Sequence, residues 1–380
     1  MESSQWNKLS YDQEILILTR LPILDLRRLS LTCKYFHSIL LDPSFAIHYN
    51  KSFLGCPMLC LMSHLLDERM YFPFFRSIIW QGERPAMFTW QNPWLHDLRE
   101  YQWRSLLYGD GLMCFEGFVG PISFENIFPE KTKLLVFNPL FSQERRILSL
   151  PAMTNSVSRI YTGIALDRKN GVCKLILWHR SEAFNFTVTT FVYNFKESMW
   201  KKIPEWNGIP NYRGSLYFQH RPQLVNERFL CWLVHSTDSI SLVNMVLVFD
   251  VEEEMWREPI PFPPIPLGYR LFICIVEHKK RLCMISETSE KGKDNTILVT
   301  WEFHMEERVW RLAESIPPPP FRFQDALGPE MGGRGFWGVE HGDFAERHVH
   351  IYDMLHHFWQ NMGEFQPTIM FEPSLFRLVM

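Results

Sequence analysis

Four times in the C-terminal half of the chain, an aromatic residue is followed by Asn, Asp or His and, seven positions after the aromatic, by a tryptophan. The copies are Tyr193-Asn194 with Trp200, Phe249-Asp250 with Trp256, Phe303-His304 with Trp310 and Tyr352-Asp353 with Trp359. Their aromatics stand 56, 54 and 49 residues apart. A fifth copy, Phe137-Asn138, lies 56 residues before Tyr193 with Glu144 in the tryptophan's place, and a fainter sixth surrounds Phe88-Thr89-Trp90. Self-similarity at this period means stacked supersecondary units, none of which can bury its apolar face alone.

The unit reads as β structure. Val246-Leu247-Val248-Phe249 is a short strand, Glu252-Glu253-Glu254 a polar turn, and Met255-Trp256 the start of a return strand, so each arm of the hairpin carries an aromatic. Composition agrees: 31 Phe, 14 Trp and 12 Tyr with 25 Pro favour many short strands over long helices. Pro259 to Pro266 and Pro317 to Pro320 read as connectors between units, since proline is excluded from inner strands. Residues 55–380, divided by a repeat of about 54, give a β-propeller of about six blades, with seven allowed. An open ring would leave edges free to pair with other chains. Thr368-Ile369-Met370-Phe371 is the strand expected to close it, on material from residues 55 to 90.

The first fifty residues follow a different period. Ser10-Tyr11-Asp12-Gln13 fits a capping box, and Ile15 to Leu18 continue it as a helix that is apolar nearly all round. Leu26, Leu29, Cys33, Phe36 and Leu40 recur in steps of three and four and define one helical stripe, closed by Asp42-Pro43. A third short helix is expected from Ser44, with Phe45 and Tyr49 on one side. So small a unit buries too little surface to stand alone, and must be completed by the rest of the chain or by a partner.

These residues resemble an F-box. The match runs over Leu9, Ile17-Leu18, Arg20-Leu21-Pro22, Leu26, Leu29, Cys33-Lys34, Pro43 and Phe45, and departs at Ser10, Thr32 and Phe36, where the family has Pro, Val and Trp. It assigns residues 5–52 to an F-box and 55–380 to a propeller similar to the kelch-like or F-box-associated C-terminal regions of plant F-box proteins. Kelch blades carry a double glycine before the aromatic, and here Gly332-Gly333 alone supplies one. The resemblance implies a substrate-recognition receptor of a cullin–RING (SCF-type) ubiquitin ligase. It has a Skp-type adaptor and, through it, a cullin–RING scaffold as partners, and a protein substrate held by the propeller. It also implies Ile17, Leu18, Leu21, Pro22, Leu26, Leu29, Cys33 and Phe36 at the adaptor interface or supporting it. For Leu29 and Cys33 an internal packing role is equally open. The alternative is a non-catalytic propeller scaffold, or a glycan- or protein-binding module with no ligase role.

Charge and motifs exclude much else. A net charge of −3 offers no field for a nucleic acid backbone. The eight cysteines form no C-x-x-C pair and read as small buried hydrophobes in a reducing compartment. No signal peptide and no apolar run long enough to span a membrane is visible, so a soluble protein of cytoplasm or nucleus is expected. Gly333-Arg334-Gly335-Phe336-Trp337-Gly338 is formally G-x-G-x-x-G, but its aromatic surroundings are those of a hairpin and not of a strand-to-helix phosphate loop. His348 and His350 share one side of a strand without a third ligand at clear spacing. No catalytic constellation and no cofactor site are expected.

Overall fold

The computed structural model describes residues 9–21, 23–42, 44–45, 48–49, 58–64, 73–81, 84–90, 101–109, 112–119, 132–138, 145–151, 160–180, 186–209, 216–218, 222–236, 244–263, 273–278, 280–289, 296–316, 323–326, 335–340, 348–353, 358–364 and 369–371. They form a mainly β fold behind a short helical N-terminal region. Helix α1 (Tyr11–Leu18) opens on the expected capping box. The Ser10 hydroxyl accepts the Gln13 N–H, and the Ser10 N–H donates to Gln13 Oε1 at 2.9 Å. Helices α2 (Ile23–Ser30) and α3 (Lys34–Leu41) follow.

The single stripe expected from Leu26 to Leu40 is therefore split between two helices. The Leu31 and Thr32 N–H groups donate to the carbonyls of Arg28 and Leu29, the Thr32 hydroxyl takes the Leu29 carbonyl at 2.7 Å, and Cys33 is extended. A hydroxyl that occupies a carbonyl three residues back competes with continuation of the helix. Helix α3 ends at Asp42, whose ψ of 119° is the extended setting that the following proline favours. Ser44, Phe45, His48 and Tyr49 are helical, and the rings of Phe45 and Tyr49 lie 6.1 Å apart, fully buried.

The strands form six antiparallel sheets among the described residues. The first contains β1 (Met58–His64), β2 (Pro73–Gln81) and β3 (Arg84–Trp90). The second contains β4 (Tyr101–Gly109), β5 (Leu112–Val119), β6 (Thr132–Phe137) and β7 (Arg145–Ser149). The third contains β8 (Ile160–Asp167), β9 (Val172–Arg180) and β10 (Phe186–Asn194), with β11 (Met199–Lys202) and β12 (Trp206–Ile209) both along the outer side of β10. The fourth contains β13 (Leu216–Phe218) and β14 (Gln223–Val225) along one side of β15 (Phe229–Ser236), then β16 (Asn244–Asp250) with β17 (Met255–Trp256) and β18 (Ile260–Pro261). The fifth contains β19 (Ile273–His278), β20 (Arg281–Ser289), β21 (Thr296–His304) and β22 (Val309–Ile316). The sixth contains β23 (Phe323–Ala326), β24 (Gly335–Glu340), β25 (His348–Asp353) and β26 (Phe358–Glu364). Strand β27 (Ile369–Phe371) then returns to the first sheet and pairs antiparallel with β1, Met58 opposite Phe371 and Cys60 opposite Ile369. The C-terminal strand thus pairs where the sequence reading put it, and the first sheet is built from both ends of the repeat region.

The repeat motif is a cross-strand pair. Tyr193 stands opposite Trp200, Phe249 opposite Trp256, Phe303 opposite Trp310 and Tyr352 opposite Trp359. In the first three the ring centroids are 5.1, 5.3 and 5.1 Å apart. The polar residue after the aromatic organises the turn: Asn194 Oδ1 accepts the N–H groups of Lys196 and Glu197, and Asp250 Oδ1 those of Glu252 and Glu253. In three copies the tryptophan ties its unit to the one before it. Its indole N–H donates to the Ser149 carbonyl from Trp200, to Thr190 Oγ1 from Trp256 and to the Pro261 carbonyl from Trp310.

The weaker copies need correction. Phe137 is opposite Arg145 and not Glu144, because its hairpin is one residue longer. Phe88 lies on β3, opposite Ser77, whereas every other copy has its aromatic on the strand before the outer one. Part of the proline-rich segment, Ile260–Pro261, is itself an outer edge strand on β16, a place proline tolerates. Gly332 and Gly333 lie outside the described residues, as do Pro317 to Pro320, while Gly335 to Gly338 run within β24, a strand and not a phosphate loop.

Three of these turns end on a residue in the left-handed region, Ser198, Glu254 and Arg308, with φ of 55°, 53° and 54°. A Cβ is strained there, so Ser198→Gly is expected to raise stability by up to about 1 kcal/mol in chemical denaturation. A loss instead would mean that the turn tolerates the side chain without strain.

Candidate functional site

The helical region divides its apolar residues between an interior and an uncovered face. Leu18, Leu26, Ile39, Leu40, Phe45 and Tyr49 are buried. The Tyr49 hydroxyl reaches the Leu21 carbonyl at 3.1 Å, which fixes the segment after α1, and burial pushes that phenol far above its ordinary range. On α1, Leu16 and Ile17 are 58% and 40% exposed, in the turn before α3 Leu31 is 81% exposed, and Tyr35 on α3 is 46% exposed. A polar link runs beneath this face: the buried Glu14 carboxylate accepts the Tyr35 hydroxyl, which pushes the phenol up to about 12. Tyr11, also exposed, donates to Asp42 Oδ2 at 3.2 Å. Asp42 further accepts the N–H and hydroxyl of Ser44 at 2.8 Å, and these bonds hold its carboxyl below the usual range.

The residues expected at a docking surface thus separate. Ile17 is exposed, Leu21, Leu29 and Phe36 are half-buried, and Leu18 and Leu26 are interior. Cys33 is exposed as the residue before α3, and Pro22 lies outside the described residues. Leu16, Leu31 and Tyr35 were not singled out by the stripe. The readable signal was Ile15-Leu16-Ile17-Leu18: four consecutive apolar positions cannot all face inward on one helix.

In the sheets the polar side chains cluster at the hairpin turns. Lys174, buried on β9, bonds Asp167 Oδ2 at 2.8 Å, Glu254 Oε1 at 2.9 Å and the Val251 carbonyl at 2.9 Å, joining the third sheet to a turn of the fourth. Burial alone would raise the Asp167 and Glu254 carboxyls, but the Lys174 bonds, with Lys201 also on Glu254, outweigh it and hold both below their usual range. Asp250, also buried, is gripped by Arg228 at 3.0 and 2.7 Å and by Arg257 at 3.1 and 2.5 Å, and is likewise held low against its burial. Every partner is structural, and among the described residues no nucleophile stands beside a base. Cys114, Cys173, Cys231 and Cys283 are buried, and burial pushes the Cys114 and Cys231 thiols far up, out of reach of thiolate chemistry. Among the described residues no cluster of His, Cys, Asp or Glu could hold a metal ion, and no helix is long and apolar enough to cross a membrane.

A family model described as the F-box domain matches residues 15–48, and one described as the F-box associated beta propeller domain matches residues 85–326, more than half of the chain. The chain belongs to the F-box-associated β-propeller family. Of the two propeller types that the sequence resembles, the F-box-associated one is the type whose model matches, and the exposed apolar face of α1 and Tyr35 falls within the F-box match. No curated protein is similar enough in sequence to count as a match. Among solved structures, the β-propeller domain of the trilobed protease from Pyrococcus furiosus is 14% identical, with 69% of this chain and 71% of that one covered and a TM-score of 0.40. TolB from Acinetobacter baumannii is 9% identical over 82% of this chain and 64% of its own, with a TM-score of 0.45. AofleA from Arthrobotrys oligospora is 13% identical over 70% and 73%, with a TM-score of 0.42. At these identities the likenesses say nothing of activity.

Proposed function

We propose that this F-box-associated propeller protein is the substrate-recognition subunit of an SCF-type cullin–RING ubiquitin ligase. Residues 5–52 dock on a Skp-type adaptor, and residues 55–380 recruit a protein for ubiquitination in cytoplasm or nucleus, each sheet of the repeat region serving as a blade. The observation that carries this reading is the exposure of Leu16, Ile17, Leu31 and Tyr35, four large side chains inside the F-box match and uncovered in the free chain. Large apolar side chains left exposed on short helices suit a partner's groove. The subunit is non-catalytic. Holding a substrate beside a charged conjugating enzyme raises effective concentration, so no acid, base or nucleophile is needed in this chain.

The test is co-purification with a Skp-type adaptor of the full chain, of a chain starting at residue 55, and of Leu16→Asp/Leu31→Asp. Both leucines are exposed, so the double variant is expected to fold as the parent does. Burying a carboxylate against the adaptor is expected to weaken binding about tenfold or more. The truncated chain is expected not to bind. Full binding by the double variant and by the truncated chain would leave the propeller as a stand-alone binding module.

A further inference from the structure

Three gaps between neighbouring sheets have described cores, and one encloses a histidine. Between the third and fourth sheets the packing is aromatic and aliphatic, built on Trp178, Trp232, Phe249 and Trp256, and between the fourth and fifth it is largely aliphatic, with Cys231, Met284 and Phe303. Between the second and third sheets, Leu112, Cys114, Leu134 and Val136 pack on Ile160, Ile164, Leu175 and Leu177. Strand alternation carries the same rows on to Glu116 and Thr132 from one sheet and to Thr162, His179 and Thr189 from the other, all buried. His179 faces Ile160 and Thr189 in register and is 5% exposed. Its Nδ1 and the Thr162 hydroxyl are sealed from solvent, and neither has a hydrogen-bond partner.

We propose that this seam is an acid-sensitive joint, closed while His179 is neutral and loosened when the ring takes a proton. An imidazolium carries two donors and a charge, and a seam that leaves Nδ1 unpaired cannot satisfy them without opening. Two carboxylates belong to the seam or its rim, Glu116 buried on the facing sheet and Glu205 at the surface, and burial of the ring outweighs the pull of Glu205. Glu205 pairs with Lys202 at 3.0 Å and hydrogen-bonds Thr189, the register neighbour of His179. The facing sheet carries Arg104 on β4, Glu116 on β5, Lys133 on β6 and Arg145 and Arg146 on β7. On the His179 sheet, Arg180 follows the ring, while Lys174 and Asp167 pair with each other at the far end of β9. Burial, the largest influence, lowers the affinity of the ring for a proton. The Arg180 main chain and Glu205 pull the other way, Lys202 adds to the lowering, and burial wins.

The sign follows from linkage. The unfolded chain takes up this proton near pH 6.5 and the folded chain only at lower pH, so stability is full above about 6.5 and falls as pH drops toward the folded value. The carboxylates held low in the turns act only below about pH 4, a separate window.

The experiment is thermal melting of the full chain from pH 7.5 to 5.0, with His179→Gln and His179→Phe beside it. Wild type is expected to lose about 2–4 °C more than either variant between pH 6.5 and 5.0. Hydrogen exchange, corrected for intrinsic pH dependence, is expected to quicken in β5 and β9 of wild type alone. Should the variants fail to fold, the ring signals of His179 in the wild-type NMR spectrum serve instead, titrating below the other histidines. Equal pH slopes in wild type and variants, or a His179 ring that titrates at an ordinary 6.5, would overturn the joint.

Discussion

Trp256→Ala is expected to destabilise the repeat region by about 3–5 kcal/mol in chemical denaturation. Trp256 sits on an outer strand, yet it is buried, because its ring crosses to the neighbouring sheet. Its ring lies 5.2 Å from Trp206 in a stack, 5.5 Å from Trp178 and Trp232, and 5.3 Å from Phe249. The same closeness bears on Gly163, where a Cβ would meet Leu230 Cδ1 at 2.8 Å and the Trp232 ring at 3.0 Å, so that these side chains would have to shift. Removing the indole leaves a void between two sheets that cannot collapse without moving both, and it strips Thr190 Oγ1 of its donor at 2.9 Å. Trp256→Phe refills most of the volume but not the hydrogen bond, and is expected to cost about 1–2 kcal/mol. Trp200→Ala is the comparison. Trp200 is only half-buried and its indole bond to Ser149 is exposed, so its loss should be clearly the smaller. Equal losses at the two positions would mean that the tryptophans act through their own hairpins and not by joining one sheet to the next.

Lys174→Met should be about as damaging, at about 3–5 kcal/mol, for an electrostatic reason. The stem is replaced by a side chain of similar length, but Asp167, fully buried, keeps only Asn170 as a partner, at 3.1 and 2.8 Å. Glu254 retains Lys201 at 2.7 Å and suffers less. In wild type, the lowered Asp167 and Glu254 carboxyls contribute stability that is present above about pH 4 and lost as pH falls through their folded values. The Lys174 ammonium, raised by the same pairings against its burial, contributes stability below about pH 10.4 that is lost as pH rises through its folded value. Without the lysine, only the Asn170 bonds oppose burial, which favours the protonated Asp167. The gap between wild type and Lys174→Met is therefore expected to narrow below about pH 4. Adding Asp167→Asn to Lys174→Met should recover part of the loss, because the buried charge is gone. A double variant no better than the single one would show that Lys174 acts by packing alone.

The repeat was legible because the residues that make a blade hairpin are few and stand at fixed distances. An aromatic pair seven apart, a polar turn-former after the first and a strand on either side can be read directly, and three described pairs stand ring against ring. The return of β27 to β1 was legible for a similar reason: a closing strand has to exist, and Ile369 to Phe371 was the apolar run available for it. Where a copy had drifted, spacing misled. One residue more between Phe137 and its partner moved the register to Arg145, and the 49-residue step back to Phe88 landed one strand too far out, which only hydrogen-bonded neighbours reveal.

The helical face was legible in part. Leu18 and Leu26 are as apolar as Leu16 and Leu31, and periodicity cannot say which of them a neighbouring helix covers. That was decided by the break at Thr32, where a hydroxyl on the Leu29 carbonyl ends α2 and turns Leu31 outward. By itself, then, the sequence determined that short helices precede stacked β units, where the four strong hairpins turn and which strand closes the first sheet, because these depend on local spacing and turn chemistry. Only the tertiary structure decided which leucines stay exposed, that Lys174 and Trp256 join one sheet to another, and that His179 is shut into a seam. Each of those is a contact between segments far apart in the chain, and no local pattern encodes the neighbour.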